Sequence, residues 1–154
     1  SRVRNVASRR GRQKIKAGES IKVIRTQDNI MKQIISTKNA PEAIGPYSQA
    51  VRQGNFIFFS GQIALRPDGS MSPGGIEEET KQALNNLEAI LESSGASLDN
   101  VVKTTVYLTD LKNFPVVNKI YAEYFRENPP ARATVGVSNL PKGALIEIDM
   151  IAAV

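Results

Sequence analysis

The chain has 154 residues, 41% of them apolar and 23% charged, which suits one globular domain with a real core and leaves no apolar run long enough to span a membrane. It contains neither Cys nor His, so a thiol nucleophile, a Ser-His-Asp triad, a Cys/His zinc centre and a disulfide framework are all excluded. The net charge of +5 is unevenly placed: residues 1–30 hold nine Lys/Arg against Glu19 and Asp28, or +7, whereas residues 31–154 hold 11 basic against 13 acidic groups, or −2.

Residues 1–30 carry scattered Val and Ile, no aromatic residue and a high cationic density, and are expected to form a basic, extended or flexible appendage. Three origins stay open for it: a processed organelle-targeting remnant, a functional basic arm, or sequence added ahead of a start at Met31. From Met31 the pattern becomes regular, and residues 31–154 read as one domain. Residues 32–37 predict a short strand, followed by a loop with Pro41, Gly45 and Pro46. Residues 49–52 and 55–61 predict a hairpin turning at Gln53 and Gly54, and residues 67–75 are too rich in Gly and Pro for any regular element.

Residues 76–93 give the clearest helix, with Ile76, Thr80, Ala83, Leu84, Leu87, Ile90 and Leu91 at spacings of three and four and Gly95 placed to end it. Glu77, Glu78 and Glu79 fall in its first turn, where the helix dipole favours anions, and read as a solvated helix start. Residues 101–108, rich in Val, Thr and Tyr, predict a strand. A second helix over 114–125 carries Phe114, Val117, Tyr121, Tyr124 and Phe125 and stops before Pro129 and Pro130. Strands over 131–137 and 145–153 close the chain. This order implies an α+β fold, a mixed sheet with two helices packed on one face. The other face would be bare and the basic segment is too polar to cover it, so a closed homo-oligomer is expected.

With Cys and His absent, chemistry falls to carboxylate, guanidinium, hydroxyl, phenol, ammonium and backbone groups. Arg132 follows Pro129, Pro130 and Ala131 at a strand start, where a rigid lead-in could present its guanidinium as a two-point clamp for a carboxylate; an ordinary surface or ion-paired Arg is the plainer reading. Glu147 alternates with Ile146 and Ile148, which a one-sided sheet explains, but a pocket-facing Glu147 could orient water or shuttle a proton. Tyr47 follows a Gly45-Pro46 turn and is either a cleft phenol or a packed core ring. Ser60-Gly61 ends an apolar strand either plainly or as a place where backbone approaches a ligand.

Several stretches in order carry a further signal. They are Asn39-Ala40-Pro41, Ile44-Gly45-Pro46-Tyr47-Ser48-Gln49-Ala50, Ser60-Gly61-Gln62, Val117-Asn118 with Tyr121 and Phe125, Pro130-Ala131-Arg132-Ala133-Thr134-Val135, Leu140-Pro141 and Ile146-Glu147-Ile148. Each is weak alone; the ordered set, spread over residues 31–154, resembles the RidA (YjgF) family of imine deaminases. The resemblance implies a chorismate-mutase-like α+β fold assembled as a homotrimer with sites between subunits. It implies hydrolysis of 2-iminopropanoate and 2-iminobutanoate to 2-oxo acids and ammonia, without metal or cofactor. By matching position, Arg132 would clamp the substrate carboxylate and Glu147 would position or activate water, while Tyr47, Ser60, Gly61 and Asn118 would line the pocket. Thr134 stands where many members have Cys; it can serve as a substrate-binding position if the backbone carbonyl makes the contact. A small-carboxylate binding module of the same fold, or an RNA-acting protein, are the alternatives. The expected location is cytoplasmic, with organelle targeting through residues 1–30 as the other option.

Overall fold

The computed structural model describes residues 19–25 and 31–154. Seven strands form one sheet: β1 (Glu19–Arg25), β2 (Met31–Thr37), β3 (Ala50–Gln53), β4 (Phe56–Gln62), β5 (Val101–Leu108), β6 (Ala131–Gly136) and β7 (Ile146–Ala153), in the order β1-β2-β3-β4-β7-β5-β6. The β5–β6 pair is parallel and every other neighbouring pair is antiparallel, so the sheet is mixed. Helix α1 (Gly75–Ser93) links β4 to β5, and α2 (Phe114–Tyr124) links β5 to β6. A parallel pair such as β5–β6 cannot be joined by a tight turn, so its connection must cross over the sheet, and α2 is that crossover.

Strand alternation decides which face the helices cover. Ile57 and Phe59 of β4, Val106 and Leu108 of β5, and Ile146, Ile148, Met150 and Ala152 of β7 are all buried, and the residues between them are not. They pack on Leu84, Leu87, Ile90 and Leu91 of α1 and on Val117, Ile120 and Tyr121 of α2. Thr104, on the same face of β5, shares a 2.7 Å hydrogen bond with the Tyr121 hydroxyl, which places α2 on that face too. The opposite face presents Phe56 and Phe58, each about half exposed, beside Ile151, which pairs with Phe58. None of the described helices is long and apolar enough to cross a membrane.

Three details differ from the sequence expectation. The hairpin turn falls at Gly54 and Asn55, one residue later than Gln53-Gly54, because Gly54 takes the positive φ (59°) that a two-residue loop demands and Gln53 pairs with Phe56. Residues 19–25 form an edge strand antiparallel to β2, with Glu19 opposite Thr37 and Arg25 opposite Met31; the rest of the expected 1–30 extension lies outside the described residues. Composition reports how much a segment can bury, whereas an edge strand is recruited through main-chain hydrogen bonds alone. The acidic triplet also divides. Glu77 and Glu78 are exposed and pair with Lys81 at 3.2 and 3.0 Å, but Glu79 is buried and accepts the Leu145 amide at 2.8 Å, just before β7. Three consecutive helical residues sweep about 200° at 100° per step, so one of them must turn inward.

A candidate active site in two halves

The first half surrounds Glu147. An open cavity of about 580 Å³ is bounded by the loop through Pro41, Ile44 and Tyr47, by Ser60 and Gly61 of β4, and by Glu147 of β7. The loop has no regular structure of its own and is held by one buried side chain, Gln49. Its Oε1 accepts the Thr37 amide at 2.7 Å, and its Nε2 donates to the carbonyls of Pro41 at 2.7 Å and Thr37 at 3.1 Å. Tyr47 is left 53% exposed at the mouth, so it is a cleft residue and not a core ring. The Ser60 hydroxyl donates to the Ser48 carbonyl at 2.6 Å, and the Ser60 amide donates to the Gln49 carbonyl at 3.0 Å. Ser60 therefore ties β4 to the loop, with its hydroxyl proton committed inside the chain.

Gly61 has a role that spacing did not indicate. The β4–β7 register slips between Phe59 and Gln62, where Phe59 faces Met150 and Gln62 faces Ile148, so β4 carries one extra residue. Glu147 lies against this bulge, and a Cβ on Gly61 would land on its carboxylate. The missing side chain makes room for the acid. Removal from water raises the Glu147 pKa above its ordinary value, and the nearby Asp149 carboxylate raises it further. Asp149 accepts a hydrogen bond from the Tyr107 hydroxyl at 3.0 Å, and this bond in turn raises the Tyr107 pKa.

The second half is built on α2 and β6. Arg132 pairs with Thr104 in the β5–β6 ladder and shares its face. Its guanidinium carbon stands 4.6 Å from the centre of the Tyr121 ring and 5.4 Å from that of Phe114, and its Nη2 donates to Asn118 Oδ1 at 2.9 Å. Phe114, Asn118 and Tyr121 stand four and three residues apart, one stripe of α2, so a helix face serves as seat for the cation. The other guanidinium donors make no hydrogen bond among the described residues. Burial raises the Tyr121 pKa, and the Thr104 hydrogen bond and the Arg132 charge act against that rise. Thr134, two residues on, shares the Arg132 face and pairs with Val106.

The two halves are separate within one chain. Glu147 pairs with Tyr107 and alternates with buried Ile146 and Ile148, so it points away from the helices. Arg132 points toward them. Tyr47, Ser60, Gly61 and Glu147 share the cavity; Arg132, Asn118 and Thr134 gather across β5 on the other face. Gln49 and Tyr121 belong to the family resemblance and Phe114 to the expected helix, but sequence alone gives none of them a site role, although the spacing of 114, 118 and 121 carries the signal for the two rings.

Comparison with known proteins covers most of the chain. Residues 37–154 match the Endoribonuclease L-PSP family. The chain is 51% identical over 125 residues to the 2-iminobutanoate/2-iminopropanoate deaminase of Mus musculus, covering 80% of this chain and 93% of that one. It is 54% identical over 123 residues to a RutC family protein of Pyrococcus horikoshii, covering 79% and 98%. Among solved structures, RidA from an Antarctic Psychrobacter superposes with a TM-score of 0.77 at 42% identity, covering 79% of this chain and 99% of that one. TdcF of E. coli, solved with bound serine, superposes with a TM-score of 0.75 at 38% identity, covering 79% and 98%. By the extent of the match and the identity of its relatives, this chain belongs to the Endoribonuclease L-PSP family, which includes the RidA/YjgF proteins.

Proposed function

We propose that the protein is an enzyme that hydrolyses reactive 2-imino acids, 2-iminopropanoate and 2-iminobutanoate among them, to 2-oxo acids and ammonia. The observation that carries this reading is an identity of about half to named deaminases, and it is supported by the donors Arg132 keeps free beside Asn118 and by the partial burial of Glu147. In this reading three copies close into a ring and each site is shared: one copy gives the Glu147 cavity with Tyr47, Ser60 and Gly61, and the next gives Arg132, Asn118 and Thr134. The opposite-face placement supports sharing, because a second copy can bring Arg132 to a face that its own chain denies it. The bare apolar face with Phe56 and Phe58 supports assembly. TdcF holding serine supports a small amino-acid-like carboxylate as ligand.

The chemistry asks little of the chain. Arg132 holds the substrate carboxylate through its free donors, fixed in orientation by Asn118 and the rings beneath. Glu147, as carboxylate, takes a proton from a water that adds to the C=N carbon. Glu147 returns that proton to the imine nitrogen, giving a carbinolamine; it then takes the proton of the new hydroxyl and passes it to nitrogen, so that the C–N bond breaks with its electron pair leaving on ammonia as the C=O of the 2-oxo acid forms. Proximity supplies much of the acceleration, since the imine carbon is already electrophilic. An RNA-directed role has less support, because residues 31–154 carry more acid than base.

The test is semicarbazone formation during threonine dehydratase turnover, where semicarbazide traps the imine in competition with the enzyme. Wild type should suppress trapping and Arg132→Ala should not. Trapping unchanged by wild type would sink the deaminase reading and leave a small-carboxylate binding module.

A further inference from the structure

Between β6 and β7 the chain makes a tight turn, closed by the Ala144 amide donating to the Pro141 carbonyl at 3.1 Å. Both central residues have positive φ, 57° at Lys142 and 69° at Gly143. This is the pattern of a type I′ turn, whose central positions favour Asn, Asp and Gly because a β-carbon is strained there. Gly143 meets the preference; Lys142 does not. A long side chain held in the left-handed region at a cavity mouth calls for a reason, since such strain is concentrated at functional sites.

Lys142 lines the Glu147 cavity, together with Pro141. Of the residues lining that cavity it alone is cationic, and two of the others, Glu42 and Glu147, are carboxylates. Its ammonium makes no ion pair or hydrogen bond among the described residues, in which the ion pairs are those of Lys81 with Glu77 and Glu78. A cavity with two carboxylates and no cation would repel an anionic 2-imino acid before Arg132 of a neighbouring copy could hold it.

We infer that Lys142 is a specificity-determining residue: its ammonium draws the substrate carboxylate into the cavity and selects anionic over neutral imines. The inference rests on the deaminase reading above. It places Lys142 in capture and leaves bond breaking to Glu147, so the effect belongs in KM and in salt dependence. The turn holds the base of the side chain still, and its length lets the charge follow the substrate.

The experiment is steady-state imine hydrolysis by wild type, Lys142→Met, Lys142→Gly and Lys142→Arg over a range of ionic strength, with calorimetric titration of 2-oxobutanoate into each. Lys142→Met is expected to lower kcat/KM for 2-iminobutanoate by roughly three- to ten-fold, as loss of one nearby charge in a high-dielectric mouth would, with kcat within about two-fold. Its kcat/KM should also lose most of its salt dependence, while Lys142→Arg should restore both. Lys142→Gly should show the same kinetic loss with a higher Tm, separating the charge from the turn. Wild-type kcat/KM and salt dependence in Lys142→Met would overturn the inference, as would a loss confined to kcat. Should wild type hydrolyse no imine, the deaminase reading falls, and 2-oxobutanoate affinity then decides Lys142: weaker binding in Lys142→Met supports capture, and equal or absent binding overturns it.

Discussion

Glu147 in β7 and Arg132 in β6 flank the same strand, β5, yet their surroundings share almost nothing. Glu147 is walled by a bulged strand and a pinned loop, and its acidity is altered by burial and by Asp149. Arg132 lies on an edge strand over two rings of α2, anchored by a single side-chain hydrogen bond. A carboxyl gains reactivity from enclosure because desolvation moves its pKa, whereas a guanidinium stays charged everywhere and gains only orientation from what surrounds it. The enclosed group can therefore be prepared within one chain, and the oriented group can be offered outward to another.

The largest effect should come from separating the halves. Arg132→Ala should lower kcat/KM by the roughly 2–5 kcal/mol that truncating a buried charge partner costs, and Glu147→Gln should also be inactive in steady-state assays. If the site is shared, refolding the two inactive variants together should restore roughly a quarter of wild-type activity, since about one interface in four of a random trimer combines both intact groups. No recovery on mixing would break the shared-site account while sparing each group's importance.

Next comes the enclosure itself. Gly61→Ala should displace the Glu147 carboxylate and lower kcat by about 10- to 100-fold, the scale of a 1 Å misplacement, with an unchanged circular dichroism spectrum. A wild-type rate in that variant would show that Glu147 need not rest against the bulge. The pH profile sharpens the same half. The Glu147 pKa is raised above 4.5, so its carboxylate form, and with it the rate, should appear as pH rises through a value higher than that of an ordinary glutamate. Asp149→Asn removes one of the two causes, and the acid limb should move to lower pH; a shift upward would contradict the assigned cause.

The smallest effect concerns the seat of Arg132. Tyr121→Phe keeps the ring but strands the buried Thr104 hydroxyl, and urea unfolding should report a loss of about 1–3 kcal/mol. A neutral result would mean that Thr104 finds another hydrogen-bond partner.

Much of this arrangement was legible beforehand, for identifiable reasons. The three- and four-residue spacing over 76–93 could bury one stripe only as a helix, and α1 covers that range from Gly75. The alternation of Ile146, Glu147, Ile148 and Asp149 fixed two faces in advance, and burial follows it residue by residue. Arg132 was singled out because two prolines precede it. What stayed hidden depended on tertiary contact. Nothing local distinguishes Glu79 from Glu77 until β7 begins beside it, and Gly61 resembles any strand-ending glycine until Glu147 fills the space of its absent side chain. That Arg132 and Glu147 look to opposite faces depends on the pairing of each with β5, which no linear spacing encodes.

The amide of Thr37 closes on the side chain of Gln49, the same group that holds the Pro41 carbonyl. One proton at the end of β2 is thereby made a sentinel for the cavity wall. Its exchange with deuterium requires Gln49 to let go, so its protection measures how often the Tyr47 loop lifts, and a ligand seated beneath that loop should slow the exchange.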